Sequence, residues 1–399
     1  MTEGPVAPAS TSDSIDRPLR LAFLGNPNSI HLRRWVSFFA RRSHHVTLLV
    51  TDGVDVEPGL PPAIAIERFA GFKVRSAFPP ASLLRARGAI RRAVKRVEPD
   101  VLDAHFLTIN GWHAWMSGFH PYVTTLWGSD VFVAPKRSRV VARMARITLR
   151  SADMVFVDAD DLRRGALALG APPERTETIQ FGVDLAQFSP GPDPAALRAR
   201  LGLEGKRVVF SPRAITPLYR QGVVVEALAQ LPPDVVVLMS RSAAQPDELE
   251  AIESKARTLG LSDRLVMVPE IAHSDMADFY RLADVVASVP ASDSTSVSVL
   301  EALACGRPIV ASDLPSIREW LWDLDSAALV PVDDPAATAT ALNRALALSP
   351  KARADVAARG RQIVAERADQ DRSLAHVESL YRELARRTPR NQEHRPGQA

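Results

Sequence analysis

The feature that most constrains this chain is an alternation of short apolar runs with longer amphipathic stretches, repeated on either side of a Pro- and Gly-bearing break. The first series opens with an apolar run over residues 19–24, the loop Gly25-Asn26-Pro27-Asn28-Ser29 and a helical pattern over residues 30–41. Strand-like runs follow at residues 46–50, 63–67, 101–104, 122–126, 154–157 and 176–180, with a basic helical stretch over residues 81–97 among the segments between them. Ser189-Pro190-Gly191-Pro192-Asp193-Pro194 interrupts the pattern, which then resumes with apolar runs at residues 207–210, 235–239, 265–268, 285–289 and 308–310. Strands separated by helices of this length build parallel, doubly wound sheets, whose ligands bind at the carboxyl ends of the strands. The fold predicted is therefore α/β, with two Rossmann-like domains facing across a cleft. The boundaries read as a disordered tail over residues 1–18, an N-terminal domain over 19–188 and a second domain over 189–370. A C-terminal helix over 371–387 packing back on the N-terminal domain and a disordered tail over 388–399 complete the reading.

A chain of 399 residues with 46% apolar and 24% charged residues suits two globular domains and excludes a fibrous or disulfide-stapled class. Cys305 stands alone, so no intrachain disulfide can form and a reducing, cytoplasmic setting is expected. The first twenty residues lack the basic start and apolar run of a signal peptide, and no stretch reaches the about 18 apolar residues of a membrane span.

Charge is uneven. Residues 18–185 carry 23 Lys or Arg against 15 Asp or Glu, whereas residues 186–399 carry 25 against 28. A positive first half suggests an anionic partner, such as a phospholipid surface at the inner face of the plasma membrane or a phosphorylated or lipid-linked acceptor; an ordinary solvated surface is the competing reading. No aromatic-rich basic segment marks a nucleic-acid groove, so no nucleic-acid partner is expected.

The densest chemical signal is the stretch from Ser292 to Asp313. Asp293 precedes Glu301 by eight positions, and a polar loop leads into a helix between them. Ser294, Thr295, Ser296 and Val297 lie at that helix start, where unpaired backbone N–H groups and the helix dipole favour a phosphate. Glu301, about one and a half turns into the helix, suits hydrogen bonding to ribose hydroxyls, and Asp293 can reach a sugar.

This segment resembles the signature of glycosyltransferase family 4: two acidic residues separated by seven, then Ala-Met-Ala-Cys-Gly and Pro-Val-Val-Ala. Glu301, Ala302, Ala304, Cys305, Gly306 and Pro308 match, while Asp293 stands where the family has Glu. Phe181-Gly182-Val183-Asp184-Leu185 resembles the family's Asn-Gly-Val-Asp segment, Ala283-Asp284-Val285 its Ala-Asp strand start, and residues 28–35 its first strand-to-helix loop.

The resemblance implies a GT-B fold and retaining transfer of a hexose-type sugar from a nucleoside diphosphate sugar to an acceptor hydroxyl, as in glycolipid, polysaccharide or glycoconjugate synthesis. It places His105, at the end of a strand, near the transferred sugar. It implies catalytic roles for His105, Asp293 and Arg213. The donor contacts it implies come from Gly25, Asn28, Arg213, Arg220, Arg241, Asp293 to Val297 and Glu301, and the acceptor-side contacts from His31, Arg34, Trp127 and Asp130. In Trp127-Gly128-Ser129-Asp130 a Trp replaces the family's His, and on its own this is an ordinary turn and helix cap.

The phosphate clamp departs most from the family. Arg213 fits its Arg, but Gln221 occupies the Lys position, which leaves Arg220 as the substitute cation and Arg241 as a base or phosphate contact. Two alternatives follow: a member that binds sugar nucleotide or glycan without transfer, and a nucleotide-sugar epimerase on the same fold. No metal-ligand spacing occurs, so neither metal nor cofactor is expected beyond the sugar-nucleotide co-substrate. The acids of Asp158-Ala159-Asp160-Asp161 read as a helix N-terminal cap.

Overall fold

The computed structural model describes residues 17–71, 80–321 and 328–387. Of the two predicted tails, residues 1–16 and 388–399 lie outside these. One sheet consists of β1 (Arg20–Leu24), β2 (His45–Thr51), β3 (Ala65–Phe69), β4 (Val101–His105), β5 (Tyr122–Thr125), β6 (Met154–Val157) and β7 (Thr176–Thr178), in the order β3-β2-β1-β4-β5-β6-β7. A second consists of β8 (Arg207–Ser211), β9 (Val235–Ser240), β10 (Leu265–Val268), β11 (Val285–Ser288), β12 (Ile309–Ser312) and β13 (Ala328–Val330), in the order β10-β9-β8-β11-β12-β13. The neighbours in β3-β2-β1-β4-β5, the pair β6-β7 and the neighbours throughout the second sheet pair in parallel. These are the two doubly wound sheets that the alternation predicts. The described residues divide into two compact units: those up to Thr125 with Ser151–Met154 and those from His376 on, and Leu126–Arg150 with Val155–Ala375.

In each sheet the direction of winding reverses once, between β1 and β4 and between β8 and β11. Loops leaving adjacent strands at such a reversal diverge to opposite faces and leave a crevice at the strand ends. The sequence motifs fall there. Gly25 to Ser29 follow β1 and His105 ends β4; Arg213 follows β8, and Asp293 to Ser296 lie in the loop after β11.

The second sheet is covered on both faces, which is why its strands are continuously apolar. Side chains alternate across a strand, so Val208, Phe210, Val236, Leu238 and Val286 enter one core with Leu300 and Leu303. Val209, Val235, Val237, Val285 and Ala287 enter the other, with Val224, Leu228 and Leu342.

In the first unit, Tyr381 of helix Gln370–Arg387 is fully buried, its ring 5.4 Å from Phe39 and its hydroxyl donating to the Asp103 carboxylate. Glu378, one turn earlier, accepts from Arg42 and, at 2.8 Å, from Arg382, with His44 at 3.2 Å.

Two helices, Pro350–Arg367 and Gln370–Arg387, end the described chain, the second starting within a residue of the helix read from the sequence at 371–387. Between them the backbone extends and pairs with the Phe181-Gly182-Val183 segment: Val183 N–H donates to Ala368 O at 2.9 Å and Gln370 N–H to Val183 O at 3.2 Å. The packing is so close that a Cβ on Gly182 would lie 2.7 Å from the backbone of Gln370, and Gly182 has φ +75°. A side chain there meets both a left-handed backbone and an immovable neighbour. Gly182→Ala is expected to cost about 2–5 kcal/mol and to lower the thermal midpoint by several degrees. Differential scanning calorimetry checks this, and an unchanged midpoint would contradict the packing.

Candidate active site

Arg213 organises the loops at the reversal of the second sheet. Its side chain is 11% exposed and lies against that of Asp293, with Nη2 3.0 Å from Oδ2. Nη1 donates to Ser296 Oγ at 2.8 Å and Ser298 Oγ at 3.1 Å, and the guanidinium lies 4.0 Å from the centre of the Tyr219 ring. Burial by itself disfavours the cation, but Asp293 and then Tyr219 outweigh it and raise the Arg213 pKa. The charge is thus held fixed at neutral pH, aimed along the loop that opens helix Val297–Ala304.

That helix start is prepared for an anion. Ser296 occupies the N-cap position, yet its side chain makes no capping bond, because the hydroxyl serves Arg213 instead. By contrast, Asp334 and Ser349 cap their helices in the usual way, accepting from Ala337 N–H and Ala352 N–H. The first-turn N–H groups of Val297 and Ser298 have no acceptor within their own helix and carry the positive end of its dipole. Further along, Glu301 is 6% exposed and accepts from the Tyr280 hydroxyl at 2.9 Å.

Gln221, at the expected Lys position, is buried. Its amide donates to the Arg213 carbonyl at 2.6 Å, and its Oε1 accepts from Ser211. It fixes the backbone of the arginine and supplies no charge. Arg220 has φ +50° and pairs with Asp333 at 3.0 Å, and Arg241 pairs with Glu253 at 2.9 Å. Arg213 and Asp293 to Ser296 therefore converge, whereas the other two arginines are engaged elsewhere. Tyr219, Tyr280 and Ser298 escaped the sequence reading, and no spacing signal marks them.

Trp127 and Asp130 close a turn in the same unit. Asp130 is buried and accepts from Trp127 N–H at 3.1 Å, as a turn-capping acid does, and the Trp127 ring lies 4.6 Å from that of Phe181. Asp158 corrects the sequence reading. It is not a helix cap: the N-cap of helix Asp160–Leu169 is Ala159, and Asp160 N–H and Asp161 N–H point instead at Glu319, 3.4 Å away. Asp158 is itself 2% exposed, and its Oδ2 accepts from Ser294 Oγ at 3.1 Å.

In the first unit His105 is buried against Trp35, with ring centres 4.9 Å apart, and Nε2 lies 3.7 Å from Asp103 Oδ2. Burial, with a smaller contribution from His31, pushes its pKa down to about 3. Burial pushes Asp103 up to about 7, although Tyr381 and Thr125 donate to its carboxylate. Gly25 lies beside this group, since a Cβ there would be 3.5 Å from His105 Cβ and 2.5 Å from Leu32. Asn28 ties its loop to residues 55–57, donating to Asp55 O at 3.0 Å and accepting from Glu57 N–H at 2.9 Å. Arg34 is half-buried on helix Ile30–Arg41. Among the described residues no group of three His, Cys, Asp or Glu side chains is arranged to hold a metal ion.

A family model described as "Glycosyl transferase 4-like" matches residues 20–159, and one described as "Glycosyl transferases group 1" matches residues 194–363. A D-inositol 3-phosphate glycosyltransferase of Xylanimonas cellulosilytica is 33% identical over 241 residues, which cover 58% of this chain and 56% of that protein. The chain thus matches about half the length of this curated relative. Sucrose-phosphate synthase from Thermosynechococcus elongatus superposes with a TM-score of 0.78 at 21% identity, covering 92% of this chain and 99% of that one. Anabaena HepE in complex with UDP and glucose superposes with a TM-score of 0.76 at 20% identity, covering 92% and 100%. With two doubly wound sheets, an acidic loop opening a helix at the reversal of the second, and both family models matched in chain order, this chain belongs to the family 4-like, group 1 glycosyltransferases of GT-B fold.

Proposed function

We propose that the protein is a retaining glycosyltransferase that moves a hexose-type sugar from a nucleoside diphosphate sugar to an acceptor hydroxyl. The observation that carries this is Arg213, held by Asp293 at the uncapped start of helix Val297–Ala304. A diphosphate leaving group accumulates charge as the glycosidic bond breaks, and a fixed guanidinium with helix N–H groups stabilises that charge without reorganisation. Glu301, behind the loop, binds ribose, and the leaving phosphate oxygen takes the acceptor proton on the face that the donor vacates. No protein nucleophile and no metal enter this sequence. One observation favours binding without transfer: Gln221 brings no cation, and Arg220 is committed to Asp333. Donor hydrolysis separates the readings, because a transferase leaks sugar to water.

His105 enters as a neutral ring. With a pKa near 3 it has no proton to give at physiological pH, so hydrogen bonding and lone-pair stabilisation of an oxocarbenium-like centre are the roles left to it.

The finer partner reading concerns a surface. Among the described residues no helix is long and apolar enough to cross a membrane. Helix Pro80–Val97 exposes Arg85, Arg87, Arg91, Arg92 and Lys95, together with Leu84 at 68% exposure. Helix Arg139–Ser151 exposes Arg139, Arg143, Arg146 and Arg150, again with an apolar neighbour, Val140. Basic faces with an apolar residue suit peripheral contact with anionic lipid and a lipid-linked acceptor.

Three outcomes are expected. With UDP-glucose, GDP-mannose and ADP-glucose offered in turn, one donor is turned over and an NMR time course shows the donor's anomeric configuration in the first product; Arg213→Ala lowers kcat/KM about 10²–10³-fold. An inverted first product contradicts retention. The His105 ring resonances, assigned by difference from His105→Gln, remain those of neutral imidazole from pH 8 to pH 5, whereas a midpoint near 6.5 would refute the buried setting. Reversing Arg91, Arg92 and Lys95 to Glu lowers cosedimentation with phosphatidylglycerol vesicles at least ten-fold, at about 1 kcal/mol per basic residue removed. Unchanged cosedimentation removes the membrane reading.

A further inference from the structure

Asp158 is a buried acid that the mechanism above does not use. It directly follows β6, and its partners are two successive side chains of the acidic loop: Ser294 Oγ donates to Oδ2 at 3.1 Å, and Thr295 Oγ1 donates to the Asp158 main-chain oxygen. All of these residues lie in the second unit. Ser294 is the neighbour of Asp293, and its own N–H donates to Asp293 Oδ1 at 3.1 Å. Asp293 in turn presents Oδ2 to Arg213 at 3.0 Å. The path from Asp158 to the guanidinium therefore runs through one hydroxyl and one carboxylate.

We propose that Asp158 is a positioning residue for the reaction: through Ser294 its carboxyl fixes residues 293–296, so that Asp293 holds Arg213 where a diphosphate is to bind. This rests on the glycosyltransferase reading for its functional consequence, though the anchoring itself does not.

The surroundings support an anchor of fixed geometry. Ser294 Oγ is also 3.4 Å from Trp127 O. Gly128, with φ +96°, leaves room for Ser294, whose Cβ would be 3.1 Å from a Cβ at 128. Thr295 Oγ1 also reaches Gln180 Oε1 at 3.3 Å, and Ser316 Oγ donates to Asp293 O at 3.0 Å. The loop is gripped from four sides, and Asp158 alone grips it through both side chain and backbone.

The charge state matters as well. An ionised Asp158 would place a second negative charge near Asp293 and loosen the hold of Asp293 on its arginine. Burial, aided by Asp293, raises the Asp158 pKa well above the usual carboxylate range, which favours the neutral acid, a form that bonds to a hydroxyl without repelling the neighbouring carboxylate. Its Oδ1 makes no hydrogen bond among the described residues, a position far less costly for a neutral acid than for an anion.

The test compares Asp158→Asn, Asp158→Ala, Ser294→Ala and the double variant Asp158→Ala/Ser294→Ala in the full chain. Asn keeps the size and an oxygen acceptor without the possibility of charge. Amide hydrogen exchange over residues 293–300, kcat and donor KM, and UDP affinity by calorimetry are measured on each. Expected are about ten-fold faster exchange and a roughly ten-fold lower kcat for Asp158→Ala and for Ser294→Ala, with KM moving less. Asp158→Asn stays within two-fold of the parent, and the double variant is no worse than either single one. The proposal is overturned if Asn is as damaging as Ala, if the two effects multiply, or if Asp158→Ala lowers only the thermal midpoint. Should Asp158→Ala fail to fold, the Asn and Ser294 variants decide. A parent chain with neither turnover nor UDP binding would defeat the functional reading, while the exchange data would still report on the anchor.

Discussion

The contact on which the second unit's site depends is the ion pair between Arg213 and Asp293, with the two side chains 11% and 15% exposed. Taking a guanidinium this far out of water is costly unless its N–H groups are met, and removing one partner from such a pair leaves a buried charge that nothing compensates. Here Ser296 and Ser298 accept from them, Asp293 balances the charge and Tyr219 covers the face. The arrangement is demanding because the arginine lies just after β8 and its partners lie in and just beyond the loop after β11, some eighty residues apart in sequence. Only the adjacency of those two strands at the reversal of winding brings them together, so the sheet order is itself a condition of the site.

Much else follows from keeping that pair in place. Gln221 spends its amide on the Arg213 carbonyl, and Ser296 gives up the capping of its own helix. An N-cap bond contributes about 1 kcal/mol to a helix, and here the serine hydroxyl meets the Arg213 guanidinium in its place. The same exchange leaves backbone N–H groups directed outward at the helix start. Glu301 faces the opposite demand. Lying deeper, it is satisfied by Tyr280, whose hydroxyl is held strongly protonated by burial and by Glu301 itself.

The fold was legible because periodicity reports burial. A strand covered on both faces reads as an unbroken apolar run, and β8, β9 and β11 do so. The three residues of β13 are too few to register, and the physical cause of the break at Ala368 and Asp369 is not local, since neither Pro nor Gly marks it. What ends the helix there is a tertiary pairing with Val183, over 180 residues away. The acidic loop was legible through its spacing, and so was Arg213. Asp158 was not. Its sequence neighbours Asp160 and Asp161 carry the composition of a helix start, and the competing fact, a hydroxyl donated by Ser294, belongs to a residue 136 positions on. Local pattern sees the cap and cannot see the partner.

The departures from the family pattern fit one electrostatic account. A lysine at position 221 would be buried against the Arg213 backbone and would add a second positive charge near the arginine. A neutral amide removes that repulsion and uses the position to brace the arginine backbone. Arg213 is then paired with Asp293, and burial pushes Asp158 toward its neutral form. Under the proposed reading a diphosphate is met there chiefly by Arg213 and by helix N–H groups, whose dipoles are fixed and require no counter-ion. Shortening Glu to Asp at position 293 draws the carboxylate toward its own backbone, where Ser294 N–H can reach one oxygen while the arginine takes the other. The amide at 221 adds no charge beside the Arg213 guanidinium, and the shorter acid at 293 lets one carboxylate brace its own loop and hold that guanidinium at once.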